Sequence, residues 1–347
     1  MSSRLNVALV GYGYVGRVFH APLVAHTPGL HLHTVVSSDA ARVHADFPQV
    51  EVVADPAAAF ARADIDLVVI AAPNAVHAPL AIAALQAGRH VLVDKPFATT
   101  LEEARQIAAA AEDAGRIASV FQNRRWDADF LALRELLDAG ALGEVAELHS
   151  HFDRFRPQVP DRWRERAGPG AGLWFDLGPH LVDQVLQLFG PPLSVQADIA
   201  VQRAGAVVDD FFHVVLRYPR LRAILHAGAL VPAGGLRLAV HGTRGSFIKH
   251  GLDPQEAALR DGRAPGGPGW GEDGQPGLLT TVDADGRTLE RVFDGPPGDY
   301  RACYAAMRDA VLGHGPPPVA IDQALAVMRV LEAGCESAAG GRAIAFD

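Results

Sequence analysis

Short apolar runs and helical patterns alternate along residues 1–123. Apolar runs at residues 5–10, 32–37, 67–72 and 90–93 predict strands, and the third is apolar throughout, as in a strand buried on both faces. Between the last two runs, residues 76–87 predict a helix that ends before Gly88. This alternation is typical of a parallel sheet wound with helices.

After Asn123 the pattern changes. Residues 127–139 and 176–189 predict helices, and residues 144–155 predict a long alternating strand. Residues 194–249 contain successive alternating runs separated by turn signals, which predict an antiparallel sheet. Residues 261–277, rich in Gly and Pro, predict a loop. Two last helices, at 299–312 and 321–338, precede a short strand, and we expect them to pack back on the first domain.

Composition excludes several classes of protein. The net charge of −9 argues against a nucleic-acid partner, since such proteins usually present a basic face. No apolar run reaches the ~20 residues that span a bilayer, so we expect no membrane partner. The N-terminal residues show no signal-peptide pattern, and the two cysteines, Cys303 and Cys335, are far apart. These features predict a cytoplasmic enzyme with buried thiols.

A glycine-rich segment, Gly11-Tyr12-Gly13-Tyr14-Val15-Gly16, directly follows the first predicted strand and opens a helical stretch. In that context the glycines allow a tight turn and a close approach of backbone N–H groups to a pyrophosphate. The pattern predicts a dinucleotide site, and a purely structural glycine turn is the alternative. Pro22 should kink or interrupt the helix that follows.

The ends of the next two strands suggest further contacts with the dinucleotide. Asp39 could bind the ribose hydroxyls and repel a 2′-phosphate. The alternative is that Ser37, Ser38 and Arg42 hold that phosphate, so the choice between NAD and NADP stays open. Ala72, Pro73, Asn74 and His77 follow the buried third strand, where Asn74 and His77 could reach the ribose or nicotinamide; alternatively, Asn74 caps the next helix.

Three residues suggest hydride-transfer chemistry at a hydroxyl-bearing carbon. Lys95 follows a buried strand, at the carboxyl edge where doubly wound sheets bind ligands, and could polarise a substrate oxygen. Asp176 and His180 are four residues apart, so on a helix they share a face. An imidazole beside a carboxylate is suited to proton transfer near neutral pH. An ordinary solvated lysine is the alternative for Lys95.

Together these segments resemble the glucose–fructose oxidoreductase/inositol dehydrogenase family (Gfo/Idh/MocA) over essentially the whole chain. The resemblance rests on Gly11–Gly16, on Asp94-Lys95-Pro96, and on the segment from Gly172 to His180. Segments that begin at Phe121, Phe152 and Gly251 resemble a subgroup that includes NADP-dependent scyllo-inositol dehydrogenases. The family often has Glu where Asp94 stands, and its NADP-using members often carry a basic residue where Asp39 stands.

The resemblance implies an α/β fold: a Rossmann doubly wound parallel sheet over residues 1–123, then an α+β domain with an open, mainly antiparallel sheet over 124–347. That sheet is commonly an oligomer interface in the family, which implies a homodimer or homotetramer. It also implies that Lys95, Asp176 and His180 are catalytic, with the histidine as acid/base. We expect Asp94, Lys95 and Gln122 at the cofactor, and the substrate to be contacted by Lys95, Asn123, Arg124, Arg154, Trp163, Asp176 and His180.

The substrate expected is a neutral cyclic polyol or sugar. Arg154, Arg156, Arg162, Arg164 and Arg166 could bind an anionic sugar, but ion pairs with Asp153, Asp161 and Glu165 are the favoured interpretation. We expect no metal, because neither His31/His33 nor His149/His151 has a third ligand nearby in sequence. The alternatives to a dehydrogenase are a non-catalytic NAD(P)-binding sensor, a metal-dependent hydrolase using Asp176, His180 and Asp183, and an NAD-dependent glycoside hydrolase.

Overall fold

The computed structural model describes residues 4–161, 163–233 and 235–346. In chain order, its strands and α-helices are β1 (Leu5–Val10), α1 (Ala21–Ala25), β2 (Leu30–Val36), α2 (Ala40–Asp46), β3 (Glu51–Val53), α3 (Pro56–Phe60), β4 (Leu67–Ile70), α4 (His77–Gln86), β5 (His90–Val93), α5 (Leu101–Ala114), β6 (Ala118–Val120), α6 (Ala128–Asp138), β7 (Val145–His151), α7 (Gly172–Phe189), β8 (Ser194–Ala200), β9 (Phe211–Arg217), β10 (Arg222–Gly228), β11 (Leu236–Gly242), β12 (Gly245–His250), α8 (Gln255–Arg260), β13 (Gly277–Val282), β14 (Thr288–Phe293), α9 (Arg301–Val311), α10 (Ile321–Gly340) and β15 (Ile344–Ala345).

The first compact unit comprises residues 1–123, 255–270 and 299–328. Its six strands form a parallel sheet in the order β3-β2-β1-β4-β5-β6. Strands β1 and β4 are almost wholly buried, as expected for parallel strands covered by helices on both faces. The strand order reverses direction at β1 and β4, and doubly wound sheets bind their ligands at the carboxyl ends of strands at such a point.

The second unit comprises residues 124–254, 271–298 and 329–347. Its nine strands follow the order β14-β13-β12-β11-β7-β10-β9-β8-β15. Every neighbouring pair is antiparallel except β7 and β10, which run parallel. The predicted α/β fold class is confirmed: a parallel sheet first, then a domain with a mainly antiparallel sheet.

Helix α7 is fixed in the second unit by contacts that are remote in sequence. The indole Nε1 of Trp174 donates to the Leu331 carbonyl, at 3.0 Å, and Trp174 is almost fully buried. On the same helix, Asp183 accepts two hydrogen bonds from the Arg125 guanidinium, at 2.7 and 2.8 Å, with both side chains buried. These contacts therefore stabilise α7 although it contains an internal proline, Pro179, which cannot donate a helical backbone hydrogen bond.

Three details of the predicted elements are wrong. Helix α7 begins at Gly172, four residues earlier than predicted, because Asp209 takes the place of a local cap by accepting the Trp174 backbone N–H at 2.6 Å. Strand β7 ends at His151, not near residue 155. The next residues still hydrogen-bond to the backbone of β10, and there the carboxylate of Asp153 accepts the Gly228 N–H. The hairpin of β13 and β14 was not predicted.

The prediction for Pro22 is confirmed. Residues Gly16–His20 form a π-helical segment directly before α1, and Pro22 lies in the first turn of α1. A wider turn suits that position, because proline cannot donate the N–H that a regular helix would require of it. Among residues 4–161, 163–233 and 235–346, no helix combines the length and apolar character needed to span a membrane.

Candidate active site

The loop after β1 contains three glycines, and they differ in how much space surrounds them. Gly11 has a φ of +98°, and a Cβ there would lie 2.5 Å from the Ala71 carbonyl oxygen. A Cβ on Gly16 would lie 2.1 Å from the Gly11 carbonyl oxygen. A Cβ on Gly13 would meet nothing within 4 Å. Gly11 and Gly16 are therefore required by the fold of the loop, whereas Gly13 leaves open space in front of the backbone.

The residues between these glycines differ in their exposure. Tyr12 is buried, and its hydroxyl donates to Asp46 at 2.9 Å. Burial, then the hydrogen bond to Asp46, raises the pKa of the Tyr12 phenol above its usual value. Tyr14 is half exposed and packs edge-on to Phe19, while Val15 is half-buried. The side chain of Tyr12 therefore stabilises the loop, and only the backbone of Tyr12 is available to contact a ligand.

The predicted ribose-binding residues lie between β2 and α2. Asp39 is the N-cap of α2, and its carboxylate accepts the Arg42 backbone N–H at 3.0 Å. The Ser37 hydroxyl accepts the Asp39 N–H at 3.1 Å. Ser38, Asp39 and Arg42 are exposed, so their side chains border solvent at the end of β2. Asp39 therefore has a capping role in addition to any role in cofactor selection.

The segment after β4 connects to the segment after β5. Ala72 and Pro73 lead into a 3₁₀ turn, Asn74–Val76, in which Asn74 is buried. The alternative that Asn74 caps α4 is wrong, because that helix begins after Val76. The ring nitrogens of buried His77 lie 2.8 Å from the Pro96 carbonyl and 2.9 Å from the Ala72 carbonyl. Both polar atoms of the imidazole thus hold two loops together.

Lys95 lies at the carboxyl end of β5 and is half-buried, and its peptide bond to Pro96 is cis. The preceding Asp94 is buried, and His20 Nε2 lies 3.5 Å from its carboxylate. The other nitrogen of His20 lies 2.6 Å from the Tyr304 hydroxyl. Burial raises the pKa of Asp94, but the hydrogen bond and charge of His20, with the charges of Lys95 and His77, outweigh it and leave that pKa below its usual value.

His20 and Tyr304 were not predicted as parts of this site. They come from the π-helical segment and from α9, far from Asp94 in sequence. In the sequence, His20 and Tyr304 stand out only as polar residues within apolar patterns. Such a pattern does not reveal that they lie near Asp94. Their contacts hold in place Asp94, the acid that precedes Lys95.

Gln122 and Asn123 follow β6 and are both buried. The side-chain oxygen of Gln122 has no hydrogen-bond partner within the part of the chain that the structure describes. A buried amide oxygen without a donor is costly, so a bound ligand with a donor would stabilise this arrangement. Open space at Gly13 and the unpartnered oxygen of Gln122 both fit a dinucleotide across the carboxyl ends of β1, β4, β5 and β6.

The second unit contains Asp176 and His180 on α7, one turn apart. His180 is buried, and Asp176 is partly buried. Two guanidinium groups approach the Asp176 carboxylate: Arg154 at 3.8 Å and Arg164 at 3.6 Å. A Cβ on Gly178 would lie 2.5 Å from the Trp174 ring, so glycine is required where the helix packs on its own tryptophan.

The aromatic ring of Phe152 lies beside the predicted substrate-binding arginines of this unit. The Arg124 guanidinium is 4.5 Å from the ring centroid, and that of Arg154 is 5.4 Å from it. Arg124 is buried and also contacts Asp127 at 3.2 Å. Arg162 and the side chain of Trp163 lie outside the described residues.

One predicted ion pair of the arginine cluster is confirmed: Asp161 binds Arg166 at 2.8 Å. Glu165 pairs with Arg203 at 2.7 Å, an arginine outside the predicted cluster. For Asp153 the prediction is wrong among the described residues, because the nitrogen groups within ion-pair distance there are the imidazoles of His151 and His226. Two of these partners are remote in sequence: Arg203 comes from the segment before β9, and His226 comes from β10.

Comparison with known proteins agrees with this arrangement. Residues 5–122 match the model of an oxidoreductase family's NAD-binding Rossmann fold, and residues 134–346 match that family's C-terminal alpha/beta domain. The chain belongs to the Gfo/Idh/MocA oxidoreductase family. The expected cofactor class, NAD or NADP, is thereby supported by the family of the Rossmann domain.

Relatives in this family cover almost the whole chain. The uncharacterized oxidoreductase YdgJ of Escherichia coli is 53% identical over 338 residues, which is 97% of each chain. The scyllo-inositol 2-dehydrogenase (NADP(+)) IolW of Bacillus subtilis is 37% identical, over 99% of this chain and 96% of its own. The solved structure of yvaA from Bacillus subtilis has a TM-score of 0.97 at 36% identity, covering 100% of this chain and 99% of that one. An oxidoreductase from Bacillus cereus has a TM-score of 0.92 at 31% identity, covering 99% of each.

The different roles of the glycines lead to a prediction about cofactor binding. Gly13→Val should abolish NADH and NADPH binding and leave thermal unfolding nearly unchanged, because the added side chain fills only open space. Gly16→Val is the matched control and should destabilise the fold, since its side chain would overlap the Gly11 carbonyl. Calorimetric titration and thermal unfolding measure the two effects. Unchanged cofactor affinity in a folded Gly13→Val protein would contradict the assignment of this loop.

Proposed function

We propose that this oxidoreductase is an NAD(P)-dependent dehydrogenase that acts on a secondary alcohol carbon of a cyclic polyol or sugar, inositol-like in chemistry. The observation that carries the proposal is the similarity to a scyllo-inositol 2-dehydrogenase across nearly the full length of both chains. Lys95 at the end of β5 and the pair Asp176 and His180 on α7 support it, because they supply the groups that alcohol oxidation requires.

The loop Gly11–Gly16 and the segments after β4, β5 and β6 would hold the dinucleotide, which would supply a hydride acceptor for oxidation and a hydride donor for reduction. In this proposal the ammonium group of Lys95 donates a hydrogen bond to the reacting oxygen and so favours its deprotonated form. His180 accepts the hydroxyl proton as general base and returns it in the reverse reaction. Asp176 accepts a hydrogen bond from a neighbouring substrate hydroxyl or orients His180.

A neutral polyol agrees with the charges around Asp176. The carboxylate lies between the guanidinium groups of Arg154 and Arg164, so each arginine already faces a negative group. Carboxylates and guanidinium groups together offer acceptors and donors for several hydroxyls. The family resemblance also implies a homodimer or homotetramer, which sedimentation of the purified protein can test.

A panel of substrates tests the proposed reaction. With NAD and NADP supplied separately, inositols and related cyclic polyols should give reduced cofactor, measured by its absorbance. Aldoses and sugar acids belong in the same panel. Cofactor binding without turnover of any of these alcohols would favour the alternative of an NAD(P)-binding sensor, and cleavage of a glycoside without net cofactor reduction would favour the hydrolase.

Replacement of the proposed base tests the mechanism. General-base catalysis is typically worth about 10²–10⁴ in rate, so His180→Ala should lower kcat by that order and leave cofactor affinity nearly intact. The oxidation rate of the wild type should rise with pH as the base loses its proton. Lys95→Met should also lower kcat and in addition weaken substrate binding. If His180→Ala keeps a normal kcat and pH profile, the base is a different residue.

Cofactor preference depends in this proposal on Asp39. Asp39→Asn keeps a side-chain oxygen that can cap α2 but removes the charge, so it should raise the NADP/NAD ratio of kcat/KM by about tenfold. Asp39→Arg should raise the ratio further and lower the melting temperature, because the cap is lost. Steady-state kinetics with each cofactor measure the ratio. An unchanged ratio in both variants would indicate that Ser38 or Arg42, and not Asp39, determines the preference between NAD and NADP.

A further inference from the structure

We propose that His151, Asp153 and His226 bind a divalent transition-metal ion of the Zn²⁺ class on the nine-stranded sheet. The three residues come from the end of β7, from the segment that follows it, and from β10. Imidazole and carboxylate are ligands that such ions accept in proteins. This site is separate from the proposed dehydrogenase chemistry and does not depend on it.

Sheet register brings the two histidines together. Strands β7 and β10 pair in parallel, and His226 lies directly opposite His151. Residues directly opposite each other in paired strands point to the same face. The chain after β7 continues beside β10, where the Phe152 N–H donates to the His226 carbonyl at 2.9 Å. Asp153 is therefore held within reach of both rings.

The distances within the cluster fit ligands of one ion. His151 Nδ1 lies 3.2 Å from Asp153 Oδ2, and His226 Nε2 lies 3.3 Å from Asp153 Oδ1. One ligand atom from each residue can be chosen so that all lie within 4.8 Å of one another. Zn²⁺ binds imidazole nitrogen at about 2.0–2.1 Å and carboxylate oxygen at about 2.0–2.2 Å, so two ligands of a tetrahedral ion are about 3.3–3.5 Å apart.

The same two distances are longer than those of a strong charge-assisted hydrogen bond. A strong charge-assisted N–H···O bond spans about 2.7–2.9 Å, and the Arg125–Asp183 pair of this unit has lengths of 2.7 and 2.8 Å. Among the residues that the structure describes, the salt-bridge partners of Asp153 are imidazoles alone. A divalent cation between these groups would place a full positive charge beside the Asp153 carboxylate.

A backbone hydrogen bond prepares the cluster for a metal. The Gly228 backbone N–H donates to Asp153 Oδ1 at 3.0 Å, which orients the carboxylate in the way that outer-sphere hydrogen bonds orient metal ligands.

The neighbouring histidine His149 is not a ligand in this proposal. Its Nε2 contacts the Glu147 carboxylate, so its polar atom already has a partner on the same strand. We expected no metal from the sequence because no third ligand lies near His149 and His151 along the chain. The fold supplies that ligand from β10, far along the chain.

A bound metal ion would connect two segments of the second unit, residues 151–153 and strand β10. Asp153 is adjacent to Arg154, whose guanidinium lies 3.8 Å from Asp176. The Arg154 backbone N–H donates to the Gly228 carbonyl, so residues 152–154 are already attached to β10 by backbone hydrogen bonds. A bound ion would reinforce that attachment through side chains and stiffen the backbone that presents Arg154.

Titration of tag-free, chelator-treated protein with Co²⁺ and Zn²⁺ tests the site. We expect one equivalent of Co²⁺ per chain, a visible d–d absorption band, displacement by Zn²⁺, and a higher melting temperature with Zn²⁺. Loss of a supporting residue typically costs 10–100-fold in metal affinity, so loss of a ligand in His226→Gln or Asp153→Asn should weaken Co²⁺ binding by more than about 100-fold. Circular dichroism without metal establishes that each variant is folded.

His241→Gln is the matched control, because His241 is an exposed histidine of the same sheet, on β11, and contacts Ser246 instead of the cluster. It should bind Co²⁺ like the wild type. The proposal is overturned if the wild type binds no Co²⁺ at 100-fold molar excess. It is equally overturned if folded His226→Gln and Asp153→Asn bind with wild-type affinity, since the ion then lies elsewhere.

Discussion

The buried ion pair between Arg125 and Asp183 determines the position of helix α7 in the second unit. Both side chains are removed from water, and their two hydrogen bonds are short. Removing one partner of a buried pair typically costs about 3–5 kcal/mol, because the other charge is left without compensation. The helix that contains Asp176 and His180 therefore depends on a pair that contacts no substrate in the proposed mechanism.

Further buried polar groups extend this support. Gln184, next to Asp183, donates to the Arg124 carbonyl at 2.8 Å and accepts from the Arg237 guanidinium at 2.8 Å. Arg237 also donates to the Ser150 hydroxyl. Such a network links α7 to β7 and β11 through fully buried groups, and its hydrogen bonds specify one arrangement of the helix. In the proposed mechanism, this buried layer behind Asp176 and His180 would supply the precise positioning that hydride transfer requires.

Local patterns in the sequence were sufficient to predict four strands of the parallel sheet, β1, β2, β4 and β5, because these are apolar runs bounded by turn residues. Strand β3 was not predicted, because it has only three residues and begins with the exposed Glu51. Local patterns also predicted Gly11–Gly16 and Lys95 at strand ends, where topology alone places a ligand site. They failed where the partner is remote: Asp209 at the start of α7, His20 and Tyr304 behind Asp94, and His226 beside His151. Such contacts are created by the fold, and no spacing along the chain encodes them.

The parallel pairing of β7 and β10 has a consequence for the folding of the second unit. Antiparallel neighbours can form from short hairpins, but this pair requires the long connection from His151 to Arg222, which contains α7, to be closed first. Contacts of such high sequence separation slow folding, because loop entropy is lost before the pairing energy is gained. The sheet and the helix with Asp176 and His180 should therefore become structured in one late cooperative step, so that a partly folded form of this unit would not yet present the two residues proposed as catalytic.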